Sequence, residues 1–286
     1  MFFGLQPARW HPALYRLSVW QKRTARKLEW HFGQNTFASE RAAPLPFRIY
    51  KQASKLIRGG CNGADLELQL GKVQNLKAAI PHLTGLVVKP GETFSFCKTV
   101  GLPTRQRGFT DGMELSHGVA RAGVGGGLCQ LSNLLHWLVL HSPLTVVERH
   151  HHSFDPFPDD GRVLPFGSGA TVFFNYRDFR FRNDTTQPVQ LRLWLTDKLV
   201  EGELRTTQRL EHSYSVLERA HRFVRKGGKL YRSNELWREV RRKTNDAPLV
   251  KTEKLYANFA EVKYQPAPEI PIHDAPSSLD SERVWV

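Results

Sequence analysis

A chain of 286 residues has room for one large domain or two small ones, and its 40% hydrophobic and 24% charged content is that of an ordinary globular protein. No stretch approaches the roughly 18 apolar residues of a membrane-spanning helix, which excludes a chain built of spans. A formal net charge of +14 attracts nucleic acid, anionic lipid and acidic wall polymers alike, so it names no partner. The three cysteines are Cys61, Cys97 and Cys129. An odd number cannot all pair within the chain, and their spacings match no zinc pattern. They read as free thiols in a reducing compartment. The N-terminus has no apolar core followed by a small-residue cleavage site. Cytoplasmic residence is therefore expected, with a peripheral position on the inner membrane face left open.

The first 60 residues hold eleven Lys or Arg and two acids, Glu29 and Glu40. Residues 12–31 read as a helix opened by Pro12. Trp10, Leu14, Leu17, Thr24 and Leu28 fall along one stripe, flanked by Arg16, Lys22, Arg23, Arg26 and Lys27. Such a helix either docks its apolar stripe on the domain with a solvated basic face or lies on an anionic membrane. A second helix is expected over 71–80, where Val73, Leu76, Ile80 and Leu83 keep helical spacing. Leu86 to Val88 is a short strand and Pro90-Gly91 a turn, which Glu92 can cap. The glycines of 117–127 predict a loop. A helix over 129–141 is apolar nearly all round, hence buried, and Pro143 ends it. His136 and His141 are expected on its surface. Thr145 to Glu148 reads as a strand, with Glu148 and Arg149 as sheet-surface charges or a buried pair.

From residue 169 the pattern alternates, with strands expected at 171–176, 179–182 and 189–195. Gly227-Gly228 marks a hairpin within 221–242, and the Pro- and Ser-rich end reads as a disordered tail. The fold class is α+β: N-terminal helices, a buried central helix headed by Cys129, and a mostly antiparallel sheet. The expected division is a basic helical region over 1–59, a core domain over 60–205, a β-hairpin extension over 206–265 and the tail over 266–286.

Three blocks carry the specific signal: Pro90-Gly91-Glu92-Thr93-Phe94-Ser95-Phe96, Gly125-Gly126-Gly127-Leu128-Cys129-Gln130-Leu131-Ser132, and Val147-Glu148-Arg149-His150-His151-His152-Ser153. In this order they resemble the VanW family, over roughly residues 60–205. The resemblance implies an accessory role in glycopeptide resistance or cell-wall peptide metabolism, with a peptidoglycan precursor or related peptide as partner. His151 departs from the family pattern, which leaves His150 and His152 as the matching pair.

Glycines let the backbone turn or approach closely, and a helix N-terminus exposes unpaired N–H groups. A cysteine placed there has its thiolate favoured. The expected site is Cys129 as nucleophile with His150 or His152 as base. Gly125, Gly126, Gly127, Leu128, Gln130 and Ser132 form the ligand or oxyanion surface, and Asp155, Asn175 or Asp178 orients the imidazole. A buried helix headed by Cys, then His, then an acid is similar in layout to transglutaminase-like and papain-like enzymes; a Cys-before-His order argues against an L,D-transpeptidase. Alternatives stay open: glycines serving only close packing, a non-catalytic module holding a peptide carboxylate at the helix end, or a metal site of Cys129 with His150 and His152. No cofactor is expected. Nucleic acid fits the charge, but no recognised motif supports it. Cys61 and Cys97 read as structural.

Overall fold

The computed structural model describes residues 12–57, 63–116, 119–151, 154–155 and 164–274. In chain order the elements are α1 (Pro12–Phe32), β1 (Phe47–Lys55), α2 (Gly63–Leu83), β2 (Val87–Val88), β3 (Thr93–Ser95), α3 (Phe96–Val100), β4 (Asp111–Ser116), β5 (Val119–Val124), α4 (Cys129–Leu140), β6 (Thr145–Glu148), β7 (Phe154–Asp155), β8 (Arg180–Arg182), β9 (Val189–Leu195), β10 (Leu199–Thr206), β11 (His212–Lys226), β12 (Lys229–Arg242), β13 (Leu249–Val262) and β14 (Ile272–Asp274). The strands form a sheet ordered β1-β10-β9-β2, a second ordered β14-β11-β12-β13-β7, a third ordered β3-β8-β6, and the hairpin β4-β5. The pairs β11–β14 and β13–β7 are parallel and the other pairings antiparallel, so the class is α+β.

The core lies between the sheet ending in β9 and β2 and the helices α2 and α4. Leu131, Leu134, Leu135 and Leu138 of α4 meet Leu191, Leu193 and Leu204 there, all fully or almost fully buried. Each such leucine contributes roughly 1.5–3 kcal/mol of apolar burial. The alternation of β9 appears as predicted, with Val189, Leu191 and Leu193 buried. Gln190 on the opposite face is buried as well. Its side-chain amide donates to Ala42 O and Ala43 O, and its Oε1 accepts from Leu45 N at 2.9 Å, so residues 42–45 cover that face.

Several expectations are corrected. The segment 117–127 is not all loop, because β5 pairs with β4 from Asp111↔Val124 to Ser116↔Val119. Residues 171–176 form no strand; Phe173 and Arg177 exchange two backbone hydrogen bonds of 2.8 and 3.1 Å, closing a turn. The first 59 residues include β1, which pairs with β10 in the main sheet. β14 lies inside the segment expected to be a disordered tail. His136 and His141 are both buried rather than on the surface: His136 Nδ1 meets Ser168 O at 2.7 Å and its Nε2 meets Tyr256 Oη at 3.0 Å, and the His141 ring stacks on Tyr50.

Of the two dispositions expected for α1, the apolar stripe docked on the domain is overturned, because the charged side faces the domain. Arg26 makes a bidentate pair with Glu148, at 2.8 and 2.7 Å. Glu29 pairs with Arg180, whose Nε lies 2.9 Å from the Asp178 carboxylate. Val19, Arg23, Arg26 and Trp30 recur at helical spacing on this side and are partly buried. A bidentate charged contact fixes geometry more firmly than an apolar stripe does, and it reverses the helix relative to the amphipathic reading.

Candidate functional site

The glycine block turns from β5 into α4. Gly125 and Gly127 have φ of +82° and +89°, which glycine adopts without strain. Gly126 lies directly on β4: a Cβ there would stand 2.1 Å from Gly112 O. Asn75 of α2 holds this contact from below. Its Nδ2 donates to Gly126 O at 2.9 Å and Thr110 O at 3.0 Å, while its Oδ1 accepts from Thr110 N at 2.8 Å. The glycines therefore serve close packing first. The turn also uses most of its own amides: Gln130 N donates to Gly127 O, and Leu131 N and Ser132 N to Leu128 O. Among the described residues, the Cys129 amide has no backbone acceptor outside α4, and it meets the thiol of its own residue.

In front of this turn is a cavity of about 980 Å³. The start of α4, α2, the end of β1, α3, the 164–174 segment and β13 all contribute to its wall. Gly125, Gly126, Gly127, Leu128, Cys129 and Gln130 line it; Ser132 does not. Ser132 is fully buried and its hydroxyl donates to Ala170 O at 2.6 Å. Gln130 pins the helix to the β1 end through Nε2, at 3.1 Å from Ser54 Oγ and 2.7 Å from Lys55 O. Arg23, Lys55, Lys72 and Arg177 bring four cations to the wall, against the carboxylates Glu114 and Asp155. Both carboxylates are engaged: Glu114 with Arg121, and Asp155 with Arg232 and Tyr264. The lining field is therefore positive.

Two thiols share this cavity. Cys129 Sγ donates to Val172 O at 3.7 Å, and Cys97 Sγ donates to Arg177 O at 3.5 Å. Burial pushes the Cys129 thiol above its ordinary range. Burial, followed by the Asp178 carboxylate, pushes Cys97 well above. The helix start favours a thiolate, but desolvation outweighs it here. The net direction for Cys129 is upward, opposite to the expected lowering, although the residue is only half-buried and faces the cavity.

The expected acid–base partners are dispersed. His150 lies past the end of β6, where its Nε2 meets Glu148 Oε1 at 3.0 Å, and it does not line the cavity. Glu148 is an ion-network residue: burial raises its pKa, but His150, Arg26 and Arg180 outweigh that and bring it to about 2. His152 lies outside the described residues. His151, set aside on family grounds, lines the cavity instead. Asp178 is buried and accepts from Ser95 Oγ, Cys97 N and Arg180 Nε. Asn175 donates to Arg23 O at 3.2 Å. Among the described residues neither meets an imidazole; Asp178 anchors α3 and Asn175 anchors α1. Asp155 lines the cavity but is held by Arg232 at the β7–β13 contact. Among the described residues, no group of three His, Cys, Asp or Glu could hold a metal. Glu92 caps its turn by accepting from Lys89 N at 2.8 Å.

Sequence reasoning passed over Asn75, Lys72 and Asn133. Asn133 Oδ1 accepts from Ala170 N at 2.7 Å and shapes the cavity wall. Asn75 and Asn133 are amides set in apolar helices, and that misfit is the signal that could have marked them.

These features define an α+β protein with a cationic cavity at the head of a buried helix. The model of the VanW-like proteins matches residues 71–216. The vancomycin B-type resistance protein VanW of Enterococcus faecalis is 32% identical over 226 residues, which is 79% of this chain and 81% of that protein. The uncharacterized protein YoaR of Bacillus subtilis is 36% identical over 121 residues, 41% of this chain and 37% of that protein. No solved structure matches. The chain belongs to the VanW family.

Proposed function

We propose that the cavity is a binding site for the C-terminal carboxylate of a cell-wall-type peptide, and that the protein acts as an accessory to glycopeptide resistance or wall-peptide metabolism. The observation that carries this is the about 980 Å³ cavity at the start of α4, lined by four cations against two engaged carboxylates. The first-turn dipole of α4 favours an anion at that point. The Cys129 thiol serves as a wall group rather than a nucleophile. The size suits a few residues of peptide.

Calorimetric titration of the full chain with a short peptide ending in D-Ala-D-Ala, and with its C-terminal amide, tests the reading. The free carboxylate is expected to bind at least about tenfold more tightly than the amide, about 1.4 kcal/mol. Lys72→Gln and Arg177→Gln are expected to narrow the difference. Equal affinity for acid and amide, or no binding of either, overturns it.

A second reading, a thiol hydrolase or transferase, rests on one observation: His151 and Cys129 line the same cavity. It requires His151→Ala to slow alkylation of Cys129.

A further inference from the structure

We infer that the outward face of α1 is a docking surface for an anionic lipid bilayer. The inference stands apart from what the cavity binds. A surface helix ordinarily turns its apolar stripe to the core and its charges to solvent. Here the arrangement is reversed. With 3.6 residues per turn, Val19, Arg23, Arg26 and Trp30 share the side packed on the domain, and Leu14, Leu17, Leu28 and Phe32 fall opposite. Leu17 is 50% exposed, Leu28 52%, Phe32 83%, and Trp20 at the border 62%. Gln21, the half-buried Thr24 and Ala25 fill the remaining outward positions, with His31 beside Trp20 at the border, so that face carries no acid and no Lys or Arg.

Charge selects the occupant. Arg16 and Lys27 flank the apolar face on one side and Lys22 on the other, all three exposed. Glu29 is the helix's one acid, and Arg26 and Arg180 engage it. An apolar face bordered by cations, about 30 Å long for 21 residues, is the pattern of a helix lying in the headgroup plane. The docking side is independently secured by the Arg26–Glu148 and Glu29–Arg180 pairs, so the outward residues are not needed for folding. Arg23 Nε donates to Phe174 O at 3.1 Å, and the Trp30 and Phe174 rings meet edge-on at 6.2 Å. These contacts set α1 on the turn whose flanking carbonyls, Val172 O and Arg177 O, accept from the two cavity thiols. Lipid contact through α1 would therefore hold the cavity next to the membrane surface.

Co-sedimentation of the full chain with vesicles tests this. The probes are equal parts phosphatidylcholine and phosphatidylglycerol, and phosphatidylcholine alone. Binding to the anionic vesicles at about 0.1 M salt is expected to exceed binding to neutral ones at least tenfold. It should weaken sharply at about 1 M salt, where the Debye length has fallen from about 10 to about 3 Å. The triple variant Leu17→Ser, Trp20→Ser, Leu28→Ser is expected to keep its circular dichroism and lose at least about tenfold in vesicle affinity. Arg16→Gln with Lys27→Gln leaves the apolar face untouched and is expected to lose the preference for anionic lipid. Absence of pelleting at low salt overturns the proposal. So does unchanged pelleting of either variant. A dimer that the triple variant dissociates, without vesicle binding, assigns the face to a second copy of the chain and also overturns it.

Discussion

The Cys129 thiol lies 3.7 Å from the carbonyl oxygen of Val172 and donates to it, while Cys97 donates to Arg177 O across the same turn. Burial, as the largest cause, raises the pKa of both thiols. Since the thiolate is the reactive species, neither is expected to be alkylated by iodoacetamide at pH 7 in the folded protein. Both should label on denaturation. Peptide mapping by mass spectrometry checks this, and rapid native labelling of Cys129 would return the thiol mechanism to first place.

His136 predicts a pH dependence of stability. Full burial, with the Arg149 cation assisting, lowers its pKa from the ordinary 6.5 to about 3, against the Ser168 carbonyl bond that raises it. The unfolded chain therefore binds a proton that the folded chain refuses between those values. Stability from this group is fully present above about pH 6.5 and falls as pH drops toward 3, by about 1.4 kcal/mol per pH unit. Glu148 adds to the acid loss only below its ordinary 4.5, because its folded value is about 2. Urea melts between pH 4.5 and 6.5 lie above the Glu148 range and include His82 and His141, which burial lowers as well, so the difference between the unaltered chain and the His136 variant measures the share of His136. His136→Gln is expected to flatten the slope in that window.

The network around Glu148 predicts a large single-site effect. Glu148→Gln leaves Arg26 and the almost fully buried Arg180 with one carboxylate fewer. Breaking a buried pair from one side costs about 3–5 kcal/mol, and partial exposure of Glu148 places the expectation at the lower end. Hydrogen exchange should rise across α1, which Arg26 ties down. A change confined to β6 would show that α1 is held by other contacts.

Glycine substitutions separate packing from conformation. Gly126→Ala sets a Cβ against the backbone of Gly112 on a strand that Asn75 holds in place. Neither side can yield cheaply, so a loss above the usual 1–3 kcal/mol of overpacking, roughly 3 or more, is expected. Gly91→Ala has open space around it and strains only its φ of +80°, at about 1 kcal/mol. Thermal melts of the two variants give the order.

The local grammar of the chain was readable in one dimension. The apolar run after Gly127 and the stop at Pro143 marked α4, and alternation marked β9 to its ends. The three motif blocks identified the family, because their residues meet turn, helix-start and strand demands that act within a few positions. The glycine block was located correctly, but whether it packed or bound was left open until Gly112 and Asn75 were seen against it. Tertiary structure alone decided which side of α1 faces inward, because Glu148 and Arg180 lie more than a hundred residues away and ion pairing between them and the helix overrode its amphipathic stripe. It also took His150 to Glu148 and brought His151 to the cavity wall, since past the end of β6 the side chains no longer alternate by strand geometry. Burial, which no local pattern of residues specifies, raises the thiol at the head of α4 where the helix start alone would lower it.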